Sequence, residues 1–250
     1  MKTTKEVLQA CRVDGYIVRL PDVQLDKKLY QEVKTILGKI GGIWKGHKIK
    51  GYVFEQDPTD LLAEIASGTK RNLKQEFQFF ETGPELSDRV IQLANIDRPD
   101  MVLGEPSAGR GALVKAVRRV HPSAIVHCYE LRELNRTFLM KVPGVVLLGN
   151  DFMEAKPTSM FDRIVANPPF SKNQDIQHVF KMYCCLKDGG RMVSIVSRHW
   201  QLASGKKELE FKKWLKLVPH QQIDLNAGEF KSSGTNVPTS ILIIDKRIAC

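Results

Sequence analysis

The stretch Phe161-Asp-Arg-Ile-Val-Ala-Asn-Pro-Pro-Phe170 narrows the choice of fold more than any other part of the chain. Phe161 to Ala166 is mostly apolar around Ile164 and Val165, which suits a strand covered on both faces. Pro168 and Pro169 end it, because neither can donate a ladder hydrogen bond, and Asn167, preceding a proline, is held away from helical dihedrals. A stiff loop at the carboxyl end of such a strand is where an open α/β sheet binds ligands. The loop offers an amide, fixed carbonyls and, in Phe170, an aromatic face. The Asn167 side-chain oxygen and the Pro168 carbonyl suit the two hydrogens of an –NH2 group on a planar ring, with Phe170 stacking on it. Asn-Pro-Pro is also ordinary turn chemistry, so the neighbouring segments have to separate the two readings.

Those segments alternate between strand and helix. Residues 101–104 read as a strand, and Glu105-Pro106-Ser107-Ala108-Gly109-Arg110-Gly111 as a tight turn into a helix over 112–120. Such a turn lets backbone approach a ligand at a helix amino end. Two familiar glycine loops are excluded. Arg110 and Gly111 stand where a nucleotide-hydrolase phosphate loop needs Lys and Ser or Thr, and Val114 occupies the third glycine position of the dinucleotide fingerprint. A second strand, 124–129, ends at Glu130, placed to take both hydroxyls of a ribose. A third, 145–148, ends at Asn150-Asp151-Phe152, where Asp151 suits an adenine amine and Phe152 the ring. Each acid alone is equally well read as a cap or a surface group. Their recurrence at successive strand ends is harder to dismiss.

The remaining pattern predicts a helix starting at Pro84 with Leu86, Val90, Leu93 and Ala94 on one side. A polar loop over 171–177, a helix over 179–186 and a strand over 192–196 follow the Asn-Pro-Pro turn. A basic helix over 208–217 and strands over 222–225 and 239–245 complete the pattern, the last two joined by a glycine-containing loop, 228–238. Residues 1–74 read as a separate small α+β unit, with a hinge over 67–72 leading to a second unit over 75–250. Within the first unit lie a strand near 16–20, a helix carrying Leu29, Val33, Ile36 and Leu37, and two short strands over 43–54 around a basic turn. Lys45, His47, Lys48 and Lys50 beside Trp44 and Tyr52 suit a nucleic-acid-facing hairpin, though a solvated hairpin over an aromatic core has the same pattern.

With 250 residues, 42% hydrophobic and 26% charged, the chain has room for a sizeable core. Its net charge of +10 favours a polyanionic partner. No apolar run is long enough to span a bilayer and no signal-peptide pattern opens the chain. Five cysteines, an odd number without metal-ligand or redox spacing, read as reduced thiols of a cytosolic protein.

Together, Glu81-Thr82-Gly-Pro-Glu85, the Glu105 to Gly111 turn, Glu130, Asn150-Asp151-Phe152 and Asn167-Pro-Pro-Phe170 resemble the motifs of class I S-adenosylmethionine-dependent methyltransferases, in particular N6-adenine DNA methyltransferases. The resemblance covers roughly the last two-thirds of the chain. The cofactor motifs precede the catalytic loop, as in the gamma class, and the Gly228 to Asn236 segment is similar to loops of phage and prophage members.

The resemblance implies a Rossmann-like seven-stranded sheet with the last strand antiparallel to the others. It implies S-adenosyl-L-methionine as cofactor, with Glu130 on its ribose, Asp151 and Phe152 at its adenine, and the turn containing Glu105, Pro106, Ser107, Gly109 and Gly111 at its methionine part. Thr82 would close that pocket. Asn167, Pro168, Pro169 and Phe170 would carry the chemistry on an adenine flipped out of double-stranded DNA, with Phe230 on its other face and Lys45, Lys48 and Lys50 contacting the nucleic acid. No metal is implied, and the setting would be the cytoplasm of a bacterium or phage-infected host. Larger members carry a target-recognition domain after the last strand, so readout here is expected from other segments. The same loop also occurs in methyltransferases acting on adenine N6 or guanine N2 of RNA and on protein glutamine. The net charge disfavours the last of these, and a catalytically silent nucleic-acid binder on the same fold is the remaining rival.

Overall fold

The computed structural model describes residues 1–40, 42–54, 58–66, 82–226 and 237–248. The chain divides into two compact units, Met1–Phe79 and Phe80–Cys250. The boundary expected at 74 and the hinge expected over 67–72 lie outside the described residues.

In the first unit, helix α1 (Thr4–Gln9) is followed by the hairpin β1 (Arg12–Asp14) and β2 (Ile17–Arg19). Helix α2 (Lys27–Lys39) starts at Asp26, whose carboxylate accepts from Lys28 and Leu29 N–H. Strands β3 (Ile43–Lys45) and β4 (Gly51–Val53) form the expected hairpin, and helix α3 (Thr59–Ala66) follows. All pairings in the order β1-β2-β4-β3 are antiparallel. Val7, Val18, Leu29, Val33, Leu37, Tyr52 and Phe54 form the core between sheet and helices. Strand β2 is the one expected near 16–20, whereas β1, α1 and α3 were not expected, because stretches this short carry too few periods for a pattern to register.

The second unit starts with α4 (Pro84–Ala94), then β5 (Leu103–Glu105), α5 (Ala112–Val120), β6 (Val126–Tyr129), α6 (Glu133–Leu139) and β7 (Val145–Gly149). Strand β8 (Phe161–Ala166) leads through a 3₁₀ turn, Ser171–Asn173, into α7 (Gln174–Cys185) and β9 (Leu186–Ser197). Helices α8 (His199–Leu202) and α9 (Lys206–Leu215) precede β10 (His220–Asp224) and β11 (Thr239–Asp245).

The strands form one sheet in the order β10-β11-β9-β8-β5-β6-β7. Strand β11 runs antiparallel to both of its neighbours, and the pairings from β9 across to β7 are parallel. The expected seven-stranded sheet with its last strand reversed is therefore present, with the reversed strand inside the sheet, one place from the β10 edge.

Successive residues of the central strands are buried alternately in two cores, as in a sheet covered on both faces. Val165, Val193, Ile195, Ile241 and Ile243 face one core with Leu86, Val90, Leu113 and Val117, whereas Ile164, Met192, Val196, Leu242 and Ile244 face the other with Ile176, Val179, Trp200 and Phe211. Three expected spans are corrected. Helix α7 begins at Gln174 inside the anticipated polar loop, β9 begins at Leu186 and runs through Gly189 and Gly190, and α9 lies two residues earlier than its apolar spacing suggested. The glycines made β9 look shorter than it is, yet Gly189 merely takes a left-handed φ of 74° within the strand.

Candidate active site

The chain places β5, β6 and β7 successively outward, then returns to lay β8 on the other side of β5. That reversal makes the carboxyl ends of β5 and β8 the topological switch point, the standard ligand position in such a sheet. Glu105, Glu130, Asp151 and Asn167 each follow or close one of the four adjacent strands β5, β6, β7 and β8. The topology thus brings together most of the residues singled out from sequence.

The turn after β5 is built by hydrogen bonds to its own acids. Glu105, 2% exposed, accepts from Ser107 N–H at 3.2 Å. Gly109 and Gly111 take left-handed φ of 55° and 83°, which a side chain would strain, and Gly111 caps α5. Gly109 N–H donates to Glu130 Oε2 at 2.7 Å, and Ala108 N–H to the Tyr129 carbonyl at 3.0 Å, tying the turn to the tip of β6. Glu130 Oε1 also accepts from Arg132 N–H at 2.9 Å and Asn135 Nδ2 at 3.1 Å. Neither of these partners was foreseen, since no spacing rule links the start of α6 to the preceding strand tip.

Burial dominates the electrostatics. It pushes the Glu105 carboxyl up to about 8; the Ser107 N–H opposes the rise and the nearby Glu130 charge adds to it. Burial likewise raises the thiol of Cys128, with Glu105 and Glu130 contributing. The Ser107 hydroxyl is buried without a hydrogen-bond partner. An orphaned hydroxyl beside two buried carboxylates fits a polar, cationic ligand.

At the end of β7, Asp151 Oδ1 accepts from Met153 N–H at 2.7 Å and so fixes the local turn. Phe152, expected to pack on a ligand ring, takes its protein neighbours from the core. Its ring is only 3% exposed and lies in the core, 5.4 Å from Tyr129 and 5.8 Å from His178 by ring centroids, with Lys181 Nζ 5.4 Å away. His178, which no sequence pattern singles out, is buried with Nδ1 2.8 Å from the Gln174 carbonyl, and burial lowers its pKa.

After β8, Pro168 is buried, and Asn167, Pro169 and Phe170 are half-buried. Asn167 Nδ2 donates to Thr82 Oγ1 at 3.1 Å, and the Thr82 carbonyl accepts from Ser87 Oγ at 3.1 Å at the start of α4. Thr82, 5% exposed, therefore meets the Asn-Pro-Pro loop directly. Beyond Phe170, Lys172 and Asn173 adopt left-handed φ of 54° and 62°, and Asn173 Nδ2 donates to Glu208 Oε1 at 2.7 Å. Asp175 Oδ2 accepts from Ser197 N–H and Oγ at 2.9 and 2.7 Å, joining α7 to the tip of β9.

Phe230 and the rest of 227–236 lie outside the described residues. Lys45, Lys48 and Lys50 belong to the first unit, on the exposed β3–β4 hairpin, where Trp44 packs edge-on to Tyr52 at 5.1 Å. Among the described residues, no group of three or more His, Cys, Asp or Glu could hold a metal ion, and no helix is long and apolar enough to cross a membrane.

The sequence matches no protein-family profile and no curated protein. Solved structures do match. A Listeria monocytogenes protein (lmo1582) assigned to the class I S-adenosylmethionine-dependent methyltransferases is 12% identical over 76% of this chain and 66% of its own, with a TM-score of 0.57. Precorrin-6Y C5,15-methyltransferase of Geobacter metallireducens is 15% identical over 67% of this chain and 91% of its own, with a TM-score of 0.50. The chain thus spans just under two-thirds of the Listeria protein. Strand order, the one reversed strand and these likenesses agree that the second unit has the fold of class I S-adenosylmethionine-dependent methyltransferases.

Proposed function

We propose that the chain transfers a methyl group from S-adenosylmethionine to the exocyclic N6 amine of a flipped-out adenine in DNA. The observation that carries this reading is the orientation of the Asn167 amide. Its nitrogen donates to Thr82 Oγ1, and in that orientation its oxygen is the acceptor that an N–H donor on a substrate requires. An exocyclic amine on a planar base meets that demand beside the ring of Phe170.

The residues present fit the cofactor. Glu130 and Asp151 are acceptors for ribose hydroxyls and an adenine amine, the Ser107 hydroxyl lacks a partner, and Glu105, which burial holds protonated, would complement positive charge once it releases its proton. A carboxylate has about four acceptor positions, and Glu130 already uses three, so holding both ribose hydroxyls requires it to release one present donor. Asn135 is the partner whose side chain can turn away. The bound cofactor supplies an electrophilic methyl on a sulfonium leaving group.

The chain's own residues act on the amine. The N6 lone pair is delocalised into the ring and is a poor nucleophile. Asn167 Oδ1 and the Pro168 carbonyl hold its two hydrogens, aim the nitrogen and favour the pyramidal form that develops as the N–C bond forms and the S–C bond breaks. The surplus N6 proton then leaves to solvent. A duplex hides N6, so the base must first be extruded at a cost of about a few kcal/mol. The charge of +10 supports a phosphate-bearing substrate.

The test is to incubate the protein with labelled S-adenosylmethionine and matched duplex DNA, single-stranded DNA, RNA or protein extract, then digest the products. Label in N6-methyldeoxyadenosine is expected. Label confined to RNA, to protein or to another base would overturn the substrate assignment, and no cofactor binding would overturn the whole reading.

A further inference from the structure

We propose that Leu202, flanked by Lys206 and Lys207, is the wedge that enters the DNA duplex and fills the space left by the extruded base. This rests on the adenine-methylation reading and adds to it the surface that meets the helix.

Leu202 is 93% exposed, more than any other large apolar side chain among the described residues. It stands at the end of α8, on a short link to α9 that is fixed at both ends. Trp200, two residues earlier, is buried in the core beside Phe211. Ala203 N–H donates to the His199 carbonyl at 3.0 Å, Lys212 Nζ donates to the Ala203 carbonyl at 2.8 Å, and Arg198 pairs with Asp224 at 3.0 Å. An apolar side chain this exposed on backbone this well held adds nothing to the core and stands ready to meet a partner.

The link is also tied to the candidate active site. Gly205 lies against the Glu208 carboxylate, and Glu208 accepts from Asn173, three residues beyond Phe170. One hydrogen bond, from Asn173 to Glu208, thus joins the loop after Phe170 to the helix that follows Leu202.

Charge identifies what covers the leucine. Residues 198–217 hold six lysines and arginines against two glutamates, and Lys206, Lys207, Lys213 and Lys216 are exposed. Exposed Lys172 adds to them from the loop after Phe170. Apolar wedges backed by phosphate-binding lysines are the means by which proteins part stacked bases in a duplex.

The test compares the full chain with Leu202→Ala and with the Lys206→Ala/Lys207→Ala pair on two random-sequence duplexes. One is fully paired, and the other carries abasic sites opposite its adenines, so that no partner or stack has to be broken. Leu202→Ala should slow methylation of the paired duplex about tenfold or more and leave the abasic-opposed duplex near wild type. The lysine pair should weaken binding to both duplexes and lower the salt slope by about 0.9 for each phosphate no longer neutralised. If Leu202→Ala matches wild type on both duplexes, or slows both equally, the wedge is overturned alone. If the wild type methylates neither, the wedge and the adenine reading fall together.

Discussion

Asn167 and Thr82 stand 85 positions apart, yet the amide nitrogen of one donates to the hydroxyl of the other at 3.1 Å. In the proposed reaction this contact would orient the Asn167 amide toward the amine, alongside the cofactor closure that the resemblance implies for Thr82. Thr82→Val removes the acceptor while keeping the shape, and single-turnover methylation should drop about tenfold, the scale of one missing hydrogen bond. Thr82→Ser should restore it. A Thr82→Val protein that loses cofactor affinity instead of methyl-transfer rate would leave Thr82 with the cofactor role alone.

Asn167→Ala removes the acceptor itself. Its single-turnover rate should fall by about 100-fold or more, with cofactor affinity by calorimetry close to wild type. Near-normal transfer would remove Asn167 from the chemistry.

Glu130→Ala should register in two measurements. Loss of a charge-assisted partner for ribose should weaken S-adenosylmethionine binding by about 1.5–3 kcal/mol. The protein alone should also melt earlier, because Gly109 N–H, Arg132 N–H and Asn135 Nδ2 all donate to this carboxylate. Weaker binding with unchanged melting would mean that those three hydrogen bonds add little to the fold.

Glu105 makes the cofactor-free protein sensitive to alkali. Its carboxyl sits at about 8 when folded, above the ordinary 4.5, so between those values the folded form holds the proton more firmly than the unfolded form. Stability contributed by the neutral carboxyl is complete at low pH and is lost as pH rises through about 8. Glu105→Gln should flatten that slope and exceed wild-type stability at pH 9 by on the order of 2–4 kcal/mol in urea denaturation. Parallel pH profiles for the two proteins would show that Glu105 ionises without cost.

On the first unit, Lys45, Lys48 and Lys50 are exposed around the β3–β4 turn. Replacing all three by Ala should lower DNA affinity across sequences and reduce the salt slope by up to about 0.9 for each phosphate that a lysine had neutralised, leaving cofactor binding unchanged. An unchanged slope would mean that the hairpin only completes its own small core.

The parts of the second unit legible in sequence were those with local causes. Two prolines ended β8, glycines turned the chain into α5, and Glu130 and Asp151 followed apolar runs that had to be strands. The environments of these residues were not legible. Phe152 reads like a ligand-facing ring because it follows Asp151, but Tyr129 and His178, from other elements, draw it into the core. The donors to Glu130 and the pairs Asn167–Thr82 and Asn173–Glu208 are long-range or follow no periodic rule, so only the folded chain reveals them. In the first unit β2, β3 and β4 were read from their apolar residues, whereas β1 and the helices α1 and α3 gave too short a pattern.

Strand β11 sits between β9 and β10, and Arg191 on β9 grips Asp245 across the antiparallel pairing at 2.7 and 3.0 Å. During synthesis β9 is made well before β11, so its open edge waits while α8, α9 and β10 emerge. An unpaired edge carrying Met192, Val193, Ile195 and Val196 is a template for mispairing with another chain. The charged Arg191, where the pairing with β11 begins, is the natural guard there, discouraging apolar strangers until Asp245 of β11 arrives to meet it.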